Sequence, residues 1–217
     1  MPKTLKSVCK GYDYNKNYTL SPRRFETIIK VLEDSKNNLN KANVAHIVLQ
    51  VDNQDFNKSS INATLKIGLE IELNTGYGYF LAMEKSEYSG YHIHIMLTFS
   101  TGSKYAFTIL RQAVTALYAL NNVNTAIALP RKTDKSIPIQ TRDYYKKYRN
   151  MNRGSKYFHV LNDDAELADA VKRYSYLAKN ETKEEFQGNR STQPKYPKAS
   201  KTKQGQKIRV IKVKENE

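Results

Sequence analysis

The sequence predicts an α+β domain, and three observations carry that reading. Short apolar runs rich in β-branched or aromatic residues recur at 45–51, 79–85, 91–99, 125–129 and 157–161. Between and around them, apolar residues repeat at helical spacing in three stretches. Two of the strand-like runs are separated by only Ser86-Glu87-Tyr88-Ser89-Gly90, a connection short enough for an antiparallel hairpin.

Residues 1–20 are polar, basic and rich in Tyr and Asn, and read as a loose arm. Ser21-Pro22 opens a helix, with Ser as N-cap and Pro at the first helical position. Phe25, Ile28, Ile29 and Leu32 then mark one helical face, which Asn37, Asn38 and Asn40 end. Ala45 to Val51 is a buried strand closed by Asp52-Asn53.

Residues 61–73 fit two patterns. Leu65, Ile67, Leu69, Ile71 and Leu73 alternate as in a strand, while Ile61, Leu65 and Leu69 recur as on a helix. Tyr79 to Lys85 and Tyr91 to Phe99 form the hairpin. Phe107, Leu110, Val114, Leu117 and Tyr118 predict a helix over about 103–121, and Thr125 to Leu129 another strand. Residues 131–157 interleave Tyr with Lys and Arg. Tyr157 to Leu161 is the last strand, and Asp163-Asp164 open a helix over about 164–183. Beyond Phe186 the apolar periodicity is lost. The domain is therefore expected over 21–186, followed by a basic, largely disordered tail over 187–217.

With 36 Lys+Arg against 21 Asp+Glu, the 217-residue chain carries a net charge of +15. Such a balance points to nucleic acid as partner. A single cysteine, Cys9, excludes a disulfide framework and a cysteine-rich zinc site. No apolar run approaches the ~20 residues of a membrane span. The basic start Met1 to Lys6 lacks the apolar stretch of a signal peptide. The expectation is a cytoplasmic protein with no membrane partner.

Two constellations carry chemistry. In the strand His92-Ile93-His94 both imidazoles project from one face, as residues i and i+2 do, and can share one divalent ion. If the turn centres on Tyr88, Glu84 stands opposite His92 on that face, because 84 + 92 = 2 × 88. One carboxylate and two imidazoles suit Mg²⁺ or Mn²⁺. A cross-strand ion pair would use the same residues without any metal.

The second lies in the last helix. Leu167, Ala170, Val171, Tyr174, Leu177 and Ala178 form a continuous apolar stripe, so Tyr174 packs inward. Tyr176 is rotated ~200° from Tyr174 by the 3.6-residue period. It shares its side with Lys179 and Lys183. A phenol with an ammonium one turn away can attack a phosphodiester when that charge stabilises the phenolate. His46, on an apolar strand, reads as packed or hydrogen-bonded, and His159 as a spare ligand at most.

His-x-His on a strand followed downstream by Tyr-x-x-Lys on a helix resembles the HUH endonucleases, which include rolling-circle replication initiators, relaxases and related transposases. Ala82-Met83-Glu84-Lys85, Gly90-Tyr91-His92-Ile93-His94-Ile95-Met96-Leu97 and Ser175-Tyr176-Leu177-Ala178-Lys179 look like the gene II replication proteins of filamentous phages (inoviruses) and their prophage relatives.

The resemblance implies a Rep-like fold with an RRM-like core. A central antiparallel sheet is flanked by helices, with His92 and His94 on a central strand and Tyr176 on a downstream helix. It implies that Glu84, His92 and His94 hold Mg²⁺ or Mn²⁺. Tyr176 attacks single-stranded origin DNA, leaving a 5′-phosphotyrosine and a free 3′ end. Lys179 assists the phosphate or the leaving group. Lys183 and the basic segment with Arg142, Tyr145, Lys146, Lys147 and Tyr148 would track the DNA backbone and stack bases. No GxxxxGK[ST] loop is present, so unwinding would fall to a host helicase, and a polymerase would extend the 3′ end. The setting implied is the cytoplasm of a bacterial host. A relaxase or transposase role, or a non-catalytic single-strand-binding protein on the same fold, are the alternatives.

Overall fold

A computed structural model of the chain describes residues 5–52, 56–71, 75–86, 90–101, 105–129, 157–180 and 191–192. In chain order the elements are α1 (Leu5–Val8), α2 (Pro22–Asn38), β1 (Ala42–Val51) and α3 (Lys58–Leu65), which continues into a π-helical turn (Lys66–Ile71). Then come β2 (Tyr77–Ser86), β3 (Gly90–Ser100), α4 (Ala106–Tyr118), β4 (Val123–Leu129) and β5 (Phe158–Val160). Last are α5 (Asp164–Tyr174), a 3₁₀ turn (Ser175–Ala178) and the two-residue β6 (Ser191–Thr192).

The strands form one sheet in the order β4-β1-β3-β2-β6, and β5 also pairs with β1. Every pairing is antiparallel. The fold class is thus α+β, with helices on an antiparallel sheet. The hairpin register is the one expected from the turn: Glu84 lies opposite His92, and Ser86 opposite Gly90. Gly90 has φ +69°, a backbone that glycine adopts without steric cost.

The sheet is buried on both faces, and strand alternation sorts its residues between them. One face carries Ile47 and Leu49 of β1, Leu81 and Met83 of β2, and Ile93, Ile95 and Leu97 of β3. These pack on Ile61, Leu65 and Leu69 and on Ile109, Leu110, Ala113 and Leu117 of α4. The other face carries Val44, Phe80, Ala82 and Met96 against α2, α5 and the 3₁₀ turn. Inside this second layer the Ser35 hydroxyl donates to Thr98 Oγ1 at 2.7 Å, and Thr98 donates to the Gly78 carbonyl at 3.1 Å. That relay ties α2 to the sheet centre. Being odd or even along one strand fixes the division: Ile93 goes to the first face, so His92 and His94 go to the second.

Residues 61–73 resolve, over the described part, as helix. Ile61, Leu65 and Leu69 are fully buried, whereas Ile67, which strand alternation would bury with Leu65 and Leu69, is 52% exposed. Burial against α4 selects the 3.6-residue period over the competing alternation.

Two expectations are corrected. The first twenty residues do not form a loose arm over their described part, 5–20. Val8 and Leu20 are buried in the α2/α5 layer, Tyr14 packs edge-on against Phe25, and Leu20 bridges Lys179. The last helix also stops earlier than expected. It ends at Tyr174, tightens into the 3₁₀ turn, and turns extended at Lys179 (ψ 149°). The Ser175 hydroxyl donates back to the Lys172 carbonyl at 2.7 Å, the local competition that disfavours Ser inside helices. At the front of this helix Asp163 caps as expected, accepting from the Glu166 N–H at 2.7 Å. Among the described residues no helix is long and apolar enough to cross a membrane.

Candidate active site

The site lies on the second sheet face, between the ends of β2 and β3 and the 3₁₀ turn. Strand parity brings Glu84, His92 and His94 to this face, and register places Ala82 opposite His94 and Glu84 opposite His92. Glu84 reaches along the diagonal. Its Oε2 lies 3.4 Å from His94 Nε2. On the other side of the ring, His94 Nδ1 lies 2.6 Å from the Tyr176 hydroxyl. The rings of His94 and Tyr176 meet edge-on at 5.6 Å. Lys179 closes the group, its Nζ 3.1 Å from Glu84 Oε2 and 5.1 Å from the Tyr176 ring centre.

Four predicted residues, Glu84, His94, Tyr176 and Lys179, are therefore brought together. His92 shares their face, half-buried, one step further toward the strand end. Lys183, Arg142, Tyr145, Lys146, Lys147 and Tyr148 lie outside the described residues, as does the tail except for 191–192.

The 3₁₀ turn sets the two tyrosines apart. Tyr174 is 1% exposed, its ring 5.9 Å from His46 and 6.2 Å from His159. Tyr176 also lies against His46, ring centres 5.8 Å apart, and its hydroxyl meets His94. His46, expected to be packed or hydrogen-bonded, stands beside the site: its Nε2 is 3.1 Å from His94 Nδ1. One lone pair on Nδ1 cannot serve both neighbours, and the shorter contact is the Tyr176 hydroxyl. With the His94 ring hydrogen on Nε2, toward the Glu84 carboxylate, Nδ1 accepts from the Tyr176 hydroxyl; in the other tautomer Nδ1 donates to the Tyr176 oxygen.

The electrostatics follow from burial and these neighbours. Burial pushes the Glu84 carboxyl up, but His94 and Lys179 outweigh it and hold the group below the ordinary carboxylate range. Burial, then the charge of His94, lowers His92. Burial, then His94 and Arg173, lowers His46 well below an ordinary imidazole. The Tyr176 phenol is raised, first by burial and then by Glu84. At rest it is a neutral phenol held against the His94 imidazole.

The donor chemistry fits a hard divalent cation. Glu84 is ionised, and its Oε1 is buried with no hydrogen-bond partner among the described residues. Two imidazoles stand beside it on the same face. The three donors are not, however, gathered on one point. Among the described residues, the only set of three such donor atoms within 4.8 Å of one another is His159, Glu166 and Asp169. There, His159 Nδ1 lies 3.4 Å from Glu166 and 3.3 Å from Asp169, tying β5 to the first turns of α5.

Besides His46, sequence reasoning missed one neighbour of the site. Tyr18 stands 6.3 Å from Tyr176, ring centre to ring centre, with Lys179 Nζ 5.4 Å over its ring. The only signal for it was the abundance of Tyr and Asn in the first twenty residues.

Comparison of the chain with protein-family models, with curated proteins and with solved structures gave no match in any of the three.

Proposed function

We propose that this protein is a divalent-metal-dependent enzyme that nicks and rejoins single-stranded DNA through Tyr176, in the manner of an initiator of rolling-circle replication. One observation carries the reading: the Tyr176 hydroxyl lies 2.6 Å from His94 Nδ1, although 82 residues separate them in the chain. The strand pair and the 3₁₀ turn thus converge on one point, with Lys179 and Glu84 beside it. The net charge of +15 supports a polyanionic substrate.

In this reading the phenolic proton passes to solvent, and His94, which would bind an ion through Nε2, carries its ring hydrogen on Nδ1 and donates it to the Tyr176 oxygen, stabilising the phenolate. The phenolate oxygen forms a bond to phosphorus, the bond from phosphorus to the 3′ oxygen breaks, and the 5′ phosphate stays on the enzyme. The Lys179 ammonium faces the charge that develops on the phosphate and supplies a proton to the departing 3′ oxygen. Glu84, His92 and His94 would hold Mg²⁺ or Mn²⁺, and such an ion would polarise the phosphate. Rejoining is the same sequence reversed. Relaxases and transposases share this chemistry, and the same site serves those roles equally.

A binding-only role is favoured by one observation, the raised phenol, which is held neutral at rest. Covalent chemistry separates the two. A 3′-labelled pool of random-sequence single-stranded DNA is incubated with the protein and Mn²⁺, then denatured. The enzyme reading expects label on the protein, lost in Tyr176→Phe. Sequencing the recovered adducts gives the nick site. Wild-type protein that captures no label, or a Tyr176→Phe variant that captures as much, sinks the reading.

A further inference from the structure

The segment between α1 and α2 carries an aromatic ring into the site that the proposed chemistry does not use. Its backbone is fastened to the 3₁₀ turn at several points. The Asn15 N–H donates to Ser175 Oγ at 2.9 Å, Asn180 N–H to the Thr19 carbonyl at 2.8 Å, and Ser21 N–H to the Ala178 carbonyl at 2.8 Å. Asn17 N–H donates to Asn15 Oδ1 at 3.0 Å and tightens the turn before Tyr18. Tyr18 is therefore fixed relative to Tyr176 by bonds on both sides of it.

The ring is placed unlike the other tyrosines of this layer. Tyr174 is buried, and Tyr12, Tyr14 and Tyr176 are partly covered by the apolar layer. Tyr18 belongs to no apolar cluster among the described residues and is 36% exposed. Lys179 Nζ sits over it at 5.4 Å and over Tyr176 at 5.1 Å, so a cation lies between the exposed ring and the phenol. A ring 36% exposed, with a positive charge over one face, matches the two parts of one nucleotide. The base has a π-face to stack, and the adjoining phosphate has a charge to neutralise.

We infer that Tyr18 is a stacking platform for one base of bound single-stranded DNA, next to the phosphate that Tyr176 attacks. The inference rests on the proposed reading that this site takes single-stranded DNA. It assigns the N-terminal segment a place in substrate positioning. Stacking holds the nucleotide in register while Lys179 engages its phosphate. Because every base has a π-face, the platform contributes affinity at this position with little sequence preference.

The chain contains no tryptophan, so a Tyr18→Trp variant has a single indole reporter. Its emission is followed while a twenty-residue oligothymidylate is added, and again with an abasic oligomer of the same length. The abasic strand offers phosphates without bases. The expected result is quenching by the oligothymidylate and not by the abasic strand. A Tyr118→Trp variant, with an exposed indole on α4, the helix packed on the opposite sheet face, should be quenched by neither. In parallel, Tyr18→Ala should weaken oligothymidylate binding by roughly five- to a hundredfold, the span of base–aromatic stacking, while Tyr18→Phe binds like wild type. An indole left unquenched, or quenched equally by the abasic strand, overturns the inference while leaving the nicking reading to its adduct assay. Tyr18→Ala binding as tightly as wild type does the same. Wild-type protein that does not bind the oligothymidylate at all overturns both.

Discussion

Glu84 Oε2 and Lys179 Nζ stand 3.1 Å apart with side chains only 11% and 12% exposed, so the pair is largely removed from water. The same oxygen lies 3.4 Å from His94 Nε2, which gives the carboxylate two positive partners when the imidazole is protonated. Removing one member of such a pair leaves a buried charge without compensation, which costs up to about 3–5 kcal/mol. Lys179→Met should therefore destabilise the fold in urea melts, by ~2–3 kcal/mol because His94 remains beside Glu84. Glu84→Gln combined with Lys179→Met should cost less than the sum of the two, with a coupling of about 0.5–3 kcal/mol. Strict additivity would show that the contact contributes nothing.

Tyr174 and Tyr176 should separate cleanly by readout. Tyr174 fills the layer between His46 and His159, so Tyr174→Ala should cost ~3–5 kcal/mol as a large aromatic cavity. Tyr174→Phe keeps the ring and should keep DNA adduct formation. Tyr176→Phe should lose the adduct while melting within about 1 kcal/mol of wild type, since only a hydroxyl goes. If Tyr174→Phe is the variant that loses the adduct, the nucleophile has been misassigned.

The sheet half of this site was legible because its rules are short-range. Period-2 alternation puts His92 and His94 on one face, and the turn centre puts Glu84 opposite His92, whatever the rest of the chain does. That Tyr174 packs inward was legible for the same reason, although the helix tightens before Tyr176 and both rings lie against His46. His46 was not legible as a site neighbour. Its face depends on the β1–β3 register, His46 to Met96 and Val48 to His94, which no local pattern encodes. The packing of residues 5–20 was hidden too. It rests on single contacts with distant residues, Tyr14 on Phe25 and Leu20 beside Lys179, and not on a repeat.

That packing is directly testable. Leu20 is 2% exposed and its backbone bridges Lys179, so Leu20→Ala should cost ~2–5 kcal/mol, the range for a buried leucine. It should also reduce adduct yield, since the bridge holds the segment carrying Lys179 and Tyr176. A truly loose arm would show a change within about 0.5 kcal/mol. Chemical denaturation of the full chain decides between them.

Metal dependence gives a further check. EDTA should abolish adduct formation, and added Mn²⁺ should restore it. Glu84→Ala removes one of the three proposed donors and should raise the Mn²⁺ concentration needed for half-maximal adduct by at least about ten- to a hundredfold, the cost of losing even a group that only supports a ligand. His92→Ala should shift the same titration in the same direction, even though His92 has no part in the Tyr176–His94 contact. An unchanged titration in both variants would confine the metal to some other site, or remove it from the reaction.

The two periods of residues 61–73 make opposite predictions at one position. If the stretch were a strand, Ile67 would share a face with Leu65 and Leu69, and a charge there would be as costly as one at either neighbour. As a helix that passes into a π-turn, it buries Ile61, Leu65 and Leu69 against α4 and leaves Ile67 52% exposed. Ile67→Lys should therefore change stability by no more than about 0.5 kcal/mol, whereas Leu65→Ala should cost ~2–5 kcal/mol. Ile67→Lys should also leave adduct formation unchanged, because α3 and the π-helical turn that carries Ile67 lie against the sheet face opposite His94. Severe destabilisation by Ile67→Lys would return the segment to the sheet and undo the layer on which α4 rests.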